Sequence, residues 1–208
     1  MSTVNLTVKT IIKDYLYNFE TISLKKGDSL TLYKREVLPV LYLLSLGCLR
    51  LSKRYSNKKR TIALITPNSV FSFYSKSGFK DAYHQLEACA LSYIIIYKPE
   101  VSIFFIELFH IQYYHLEYFN ELLYTRNLLN RLINLLLFLC KFFGKISKRG
   151  ILINLEITHE ELSQIIGTSR TTITRILNIL KDTKFISTCK RKILIHNVLY
   201  LSCLFIFL

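Results

Sequence analysis

Tryptophan is absent from this chain of 208 residues, and methionine (one), proline (three) and glycine (six) are scarce. Isoleucine, leucine, lysine, asparagine, tyrosine and phenylalanine fill the gap. AT-rich codons favour that set, as in organelle genomes. Carboxylates are also short: 14 Asp and Glu stand against 28 Lys and Arg, a formal net charge of +14. Such a surface suits a polyanion. The five cysteines (48, 89, 140, 189, 203) are odd in number and lack C-x-x-C spacing. That excludes a zinc, iron–sulfur or dithiol centre and leaves reduced thiols. A membrane span needs about 20 apolar residues. The most apolar stretch, 128–143, is interrupted by Arg131, Asn134 and Lys141, and the tail 198–208 is too short. No membrane association is expected. The N-terminus lacks a secretory apolar core and the Arg- and Ser-rich make-up of an imported precursor. Enzyme motifs are missing too. His110 and His115 lie near Glu107 and Glu117, but their spacing is not H-E-x-x-H. No Gly-rich phosphate loop or Ser/His/Asp set accompanies them, so they are read as interface residues of a non-enzyme.

What is present centres on residues 157–187, ITHEELSQIIGTSRTTITRILNILKDTKFIS. Thr158 and Glu161 form a T-x-x-E capping box that starts a helix by satisfying its free amides. Leu162, Ile165 and Ile166 give it one apolar face. Gly167 ends it, since glycine accepts the left-handed conformation of a sharp stop. Ser169 caps a second helix with Ile173, Ile176, Leu177 and Leu180 inward. Arg170, Thr171, Thr174, Arg175, Asn178 and Lys181 face outward. Forked cations and short hydroxyls on an apolar back are what a helix in a DNA major groove needs. An ordinary helical hairpin with a solvated basic face is the competing reading. The segment 145–208 carries ten Lys and Arg against four acids, which fits the DNA reading.

Upstream, residues 1–19 read as a short helix or arm. Strands are expected at 21–24, 29–33, 40–45, 48–54, 60–65, 70–74, 83–90 and 91–97, separated by turns at 25–28, Gly47, 56–59 and 66–69. Many short, evenly spaced strands imply a sandwich or roll. Lys58, Lys59 and Arg60 are read as a solvated hairpin tip. From Pro99, Val101, Phe104, Leu108, Ile111, His115, Tyr118 and Leu122 alternate at three and four, the rhythm of a helix seam. The width of the stripe implies a subunit interface. A buried helix at 128–143 and a strand at 150–156 follow. Strands at 185–187 and 193–196 form a wing with Cys189, Lys190, Arg191 and Lys192 at its tip, where basic side chains meet phosphates.

The run from Thr158 to Leu177 resembles the winged helix-turn-helix of the cyclic-AMP receptor/fumarate–nitrate regulator family. The resemblance extends to NSVF (68–71), AYHQLEA (82–88) and RNLLNRLINLLLFLCKFFG (126–144). It lies closest to the branch of global nitrogen regulators found in cyanobacteria and red algal plastid genomes. It implies an α+β protein: a cyclic-nucleotide-binding-like β-roll (1–98), a dimerisation helix (99–126) and a C-terminal winged helix-turn-helix (127–208). It further implies a plastid transcription regulator, acting on nitrogen-related promoters as a homodimer on palindromic double-stranded DNA, with the plastid RNA polymerase as a further partner. A membrane-associated or structural basic helical protein is the alternative.

The same resemblance assigns DNA contacts to Thr158, Ser169, Arg170, Thr171, Thr174, Arg175, Lys190 and Arg191. Thr171 stands where the cyclic-AMP receptor has a base-reading glutamate, so that operator does not transfer. The cyclic-nucleotide cassette is missing from 66–90, which removes cyclic AMP as effector. The nitrogen-regulator branch implies 2-oxoglutarate, held by Phe71, Ser72, Phe73 and Glu117. Two arginines of that pocket are replaced, at Asp81 and Gln112. A dicarboxylate then loses both charge-assisted fork contacts. Its binding is expected to be weakened, relocated or lost, and no resident cofactor or metal is expected.

Overall fold

The computed structural model describes residues 19–32, 40–55, 58–72, 82–97, 113, 116–189 and 191–207. The chain forms two compact units, 1–117 and 118–208. The arm at 1–18, most of the helix expected from 99, and His110 and His115 lie outside the described residues.

The first unit holds strands β1 (Phe19–Leu24), β2 (Ser29–Leu32), β3 (Leu41–Leu46), β4 (Leu49–Tyr55), β5 (Lys58–Ile65), β6 (Ser69–Ser72), β7 (Ala82–Ala88) and β8 (Ser92–Tyr97). They make two antiparallel sheets ordered β1-β8-β3-β6 and β2-β7-β4-β5. Each answers to a strand expected from the sequence, with ends moved by a residue or two. The interior is Leu24, Leu44, Phe71 and Ile94 from one sheet and Leu49, Ala63, Leu86 and Ala88 from the other. Each fully buried large apolar side chain contributes about 1.5–3 kcal/mol. Gly47 turns β3 toward β4 at φ 100°, where a Cβ would meet Ser92 Oγ at 2.3 Å. The expected solvated tip at 58–60 is only partly so. Lys59 reaches back to Glu87, which also holds Arg50 at 2.7 Å. Arg50 is 3% exposed. Burial alone would raise the Glu87 carboxyl, but hydrogen bonds and charge from Lys59 and Arg50 outweigh it and hold the group below its ordinary range.

In the second unit, residues 118–124 are helical, with Phe119 and Leu122 buried. Helix α1 (Leu128–Phe143) has the bounds read from its apolar run, and Asn127 caps it by accepting from the Leu129 amide. Its interrupting polar residues have structural tasks. Arg131 donates to the Thr125 carbonyl at 2.9 and 3.1 Å and to the Ile166 carbonyl at 3.0 Å. Lys141 lies 5.1 Å from the centre of the Tyr118 ring. No described helix is long and apolar enough to cross a membrane.

Strands β9 (Gly144–Ser147), β10 (Gly150–Ile153), β11 (Ile186–Cys189) and β12 (Lys192–Ile195) form one sheet, ordered β11-β12-β10-β9. One expectation is corrected here, and two elements are added to those read from the sequence. β9 has no counterpart in the sequence pattern, because all of its residues are exposed and carry no alternating apolar signal. The strand expected at 150–156 stops at Ile153, where the chain leaves the sheet to reach the capping box. The tail 198–208, without a place on sequence grounds, is helix α4 (Val198–Phe207), packed against α1 with Leu201 fully buried.

Candidate nucleic-acid interface

Two helices carry the site: α2 (His159–Ile166) and α3 (Arg170–Asp182). Both bonds of the capping box form. The Glu161 amide donates to Thr158 Oγ1 at 3.1 Å, and the Thr158 amide donates to Glu161 Oε2 at 2.6 Å. Gly167 sits at φ 78° in the left-handed region, and its N–H donates to the Ser163 carbonyl. The chain can therefore reverse between α2 and α3 in a short turn. Ser169 then accepts the Thr172 amide at 3.1 Å and starts α3.

The sidedness of α3 matches its sequence pattern. Ile173, Ile176, Leu177 and Leu180 are buried, while Arg170, Thr171, Arg175 and Asn178 are exposed. Ser169, Thr171 and Thr172 share hydroxyl contacts of 2.8 Å at the N-terminal end. Thr174 is half-buried, and its hydroxyl donates to the Arg170 carbonyl at 3.0 Å. Arg191 occupies the wing turn at φ 63°, exposed, while its carbonyl accepts the Ile157 amide. Lys190 lies outside the described residues. Lys192, counted with the tip, instead begins β12 and donates to Asn154 Oδ1 at 2.7 Å.

These parts surround an open cleft of about 510 Å³, lined among others by Thr158, His159, Arg170, Thr188, Arg191 and Ile193. The helix-turn-helix and the wing thus present cations to one concavity. His159 carries no sequence signal that singles it out. Its Nδ1 lies 2.9 Å from Thr174 Oγ1, a contact across two helices that no local spacing reveals. Burial first, then the charges of Lys181 and Arg170, lower its pKa from the ordinary 6.5.

The residues assigned to an effector are described only in part. Phe71 is buried and stacks on Tyr42 at 5.4 Å. Ser72 ends β6 opposite Leu41. Glu117 is exposed. Phe73, Asp81 and Gln112 lie outside the described residues. Beside Phe71 is a cavity of about 30 Å³ lined by Leu51, Ala63, Ile65 and Val70 among others, with room for about one water. Among the described residues no group of His, Cys, Asp and Glu could hold a metal ion.

Residues 130–204 match the Crp-like helix-turn-helix domain. The putative HTH-type transcriptional regulator ycf28 of Porphyra purpurea is 33% identical over 194 residues, 88% of this chain and 81% of that one. This chain belongs to the Crp/Fnr family of transcription regulators. The global nitrogen regulator of Synechococcus elongatus is 32% identical to this Crp/Fnr protein over 177 residues, 77% of this chain and 79% of that one. Among solved structures, the CRP-family regulator TTHB099 of Thermus thermophilus superposes with a TM-score of 0.73 at 18% identity, over 88% of this chain and 96% of that one. That likeness speaks for the fold. Membership accounts for the roll, the buried α1 and the winged helix-turn-helix together.

Proposed function

We propose that this Crp/Fnr regulator acts as a homodimer on a palindromic operator of nitrogen-related genes in the plastid, with the plastid RNA polymerase as its partner. The observation that carries the DNA reading is the exposed face of α3, formed by Arg170, Thr171, Arg175 and Asn178, with Arg170 on the same cleft as Arg191 of the wing. Arginine offers a fork that fits guanine O6 and N7, and the wing cation offers a phosphate contact. The nitrogen reading is supported by the global nitrogen regulators among the relatives. The plastid reading is supported by composition, and the dimer by the apolar seam from residue 99. A two-fold dimer reads half-sites about one helical turn apart. In this reading 2-oxoglutarate has lost its two arginine forks, so DNA binding does not depend on it.

Fluorescence anisotropy tests this with a GTA-N8-TAC duplex, a scrambled duplex and a 2-oxoglutarate titration, at fixed salt because phosphate contacts dominate the salt dependence. The expected result is preference for the palindrome, with two protomers per duplex, unchanged by 2-oxoglutarate. Equal binding to both duplexes would refute the operator, and tightening by 2-oxoglutarate would refute the lost pocket.

A further inference from the structure

His159 opens α2 beside the capping residue Thr158 and faces α3 across the cleft. Its hydrogen bond to Thr174 bears on which nitrogen carries the proton. The Thr174 hydroxyl has one hydrogen, and the Arg170 carbonyl, 3.0 Å away, can only accept it. Both contacts of the hydroxyl are satisfied together when it donates to that carbonyl and accepts, at 2.9 Å, from Nδ1–H of the imidazole. In the neutral ring Nε2 is then a bare lone pair. It can accept from a donor but can offer nothing to a phosphate oxygen. A second proton, on Nε2, converts the ring into a charged donor held in place by Thr174.

The charges around the ring are unevenly committed. On its own helix, Glu160 accepts from Gln164 at 2.9 Å, and Glu161 is engaged with the Thr158 amide. From α3 come Arg170 and Lys181, and from the wing turn Arg191. Burial and the charges of Lys181 and Arg170 disfavour a charged imidazole in the free protein. A DNA phosphate held in the cleft by the wing cation Arg191 would reverse the local field, because it adds negative charge beside Nε2.

We propose that His159 is a phosphate contact of the DNA interface that engages when its ring is protonated, so that each protomer takes up a proton as duplex DNA enters the cleft. This rests on the DNA reading above and adds to it a residue outside α3 and a dependence on pH. A group that gains a proton on binding makes affinity rise as pH falls. The expected gain is about threefold to tenfold per half-site between pH 8 and pH 6, at constant ionic strength.

The test measures Kd for the palindromic duplex at pH 6, 7 and 8 with the full-length protein, His159→Gln and His159→Arg. Glutamine keeps a neutral donor for Thr174, and arginine keeps a permanent charge. Wild type should tighten toward pH 6. The glutamine variant should bind more weakly with a flatter profile, and the arginine variant should be flat and tight. Calorimetry in buffers of different ionisation enthalpy should show proton uptake by the wild type that the glutamine variant lacks. A flat wild-type profile, or a glutamine variant that keeps the wild-type slope and proton uptake, would overturn the assignment. If the glutamine variant does not fold, a retained slope in the arginine variant overturns it equally. Specific binding with no pH dependence defeats this inference alone, whereas no binding at any pH defeats the DNA reading beneath it.

Discussion

Replacing Gly150 with alanine should damage the wing far more than the same change at Gly167, although both glycines have positive φ. Gly150 sits at φ 131°, and an added Cβ would lie 2.0 Å from the Ile195 carbonyl oxygen and 2.8 Å from His196 Cα. Carbon and oxygen rarely approach closer than about 3.3 Å. β12 must therefore retreat by about 1 Å from β10 to approach that limit, at the point where Ile151 pairs with Ile195 and Leu152 with Leu194. Loss of these ladder bonds costs about 0.5–1.5 kcal/mol each. The backbone conformation adds about 1–3 kcal/mol for a residue with a Cβ. With one bond lost at each of the two pairs, that is about 2–6 kcal/mol in all, a large part of the roughly 5–15 kcal/mol that holds a domain folded. Gly167, at φ 78°, has open space where its Cβ would be, so alanine there costs only the left-handed strain, about 1–2 kcal/mol. Urea unfolding of the two full-length variants, with operator binding measured alongside, separates the contributions. Gly150→Ala should also weaken DNA binding, since β12 carries the wing turn. Equal destabilisation by the two alanines would refute the steric argument.

Other consequences can be measured with the same assays. Arg170→Ala and Arg175→Ala should each reduce preference for the operator by about 1–3 kcal/mol, whereas Arg191→Ala should weaken operator and scrambled duplexes alike and lower the salt slope by about 1; anisotropy over a salt series distinguishes the two behaviours. Thr158→Ala removes the acceptor for the Glu161 amide and should cost about 1 kcal/mol of stability, read by denaturation. Glu87→Gln takes the carboxylate from buried Arg50 and should cost about 2–4 kcal/mol, below the cost for a fully buried pair because Glu87 is 25% exposed. The folded carboxyl is held below 4.5, so its stabilisation is present above that pH and is lost as pH falls through the folded value. Acid unfolding should therefore lose this component in the glutamine variant, and an unchanged acid midpoint would exclude it.

How much is legible from sequence depends on the range of the interaction. The capping box, the Gly167 stop, the Ser169 cap and the two faces of α3 are set by neighbours within a few residues, and all appear as read. The bounds of α1 are legible because its apolar run, although interrupted by Arg131, Asn134 and Lys141, ends at a glycine. The roll strands are marked by alternation and turns, with ends that drift because ladders are closed by distant partners. β9 escapes, since an exposed strand carries no burial pattern and exists only because β10 offers it hydrogen bonds.

The residue chemistry of the exposed face of α3, its cations and its near-lack of acids, was therefore determined by the sequence alone. Tertiary structure decided what that chemistry is aimed at. It brought His159 to Thr174, 15 positions along the chain, and Arg191 to the mouth of the same cleft. It committed Lys59 to Glu87 and Lys192 to Asn154, though both look like free basic tips in the sequence. It seated the apolar tail on α1 rather than leaving it unplaced. Helix caps and faces follow from local spacing, but which charges stay available and which titrating ring meets which hydroxyl depend on packing between segments far apart in sequence.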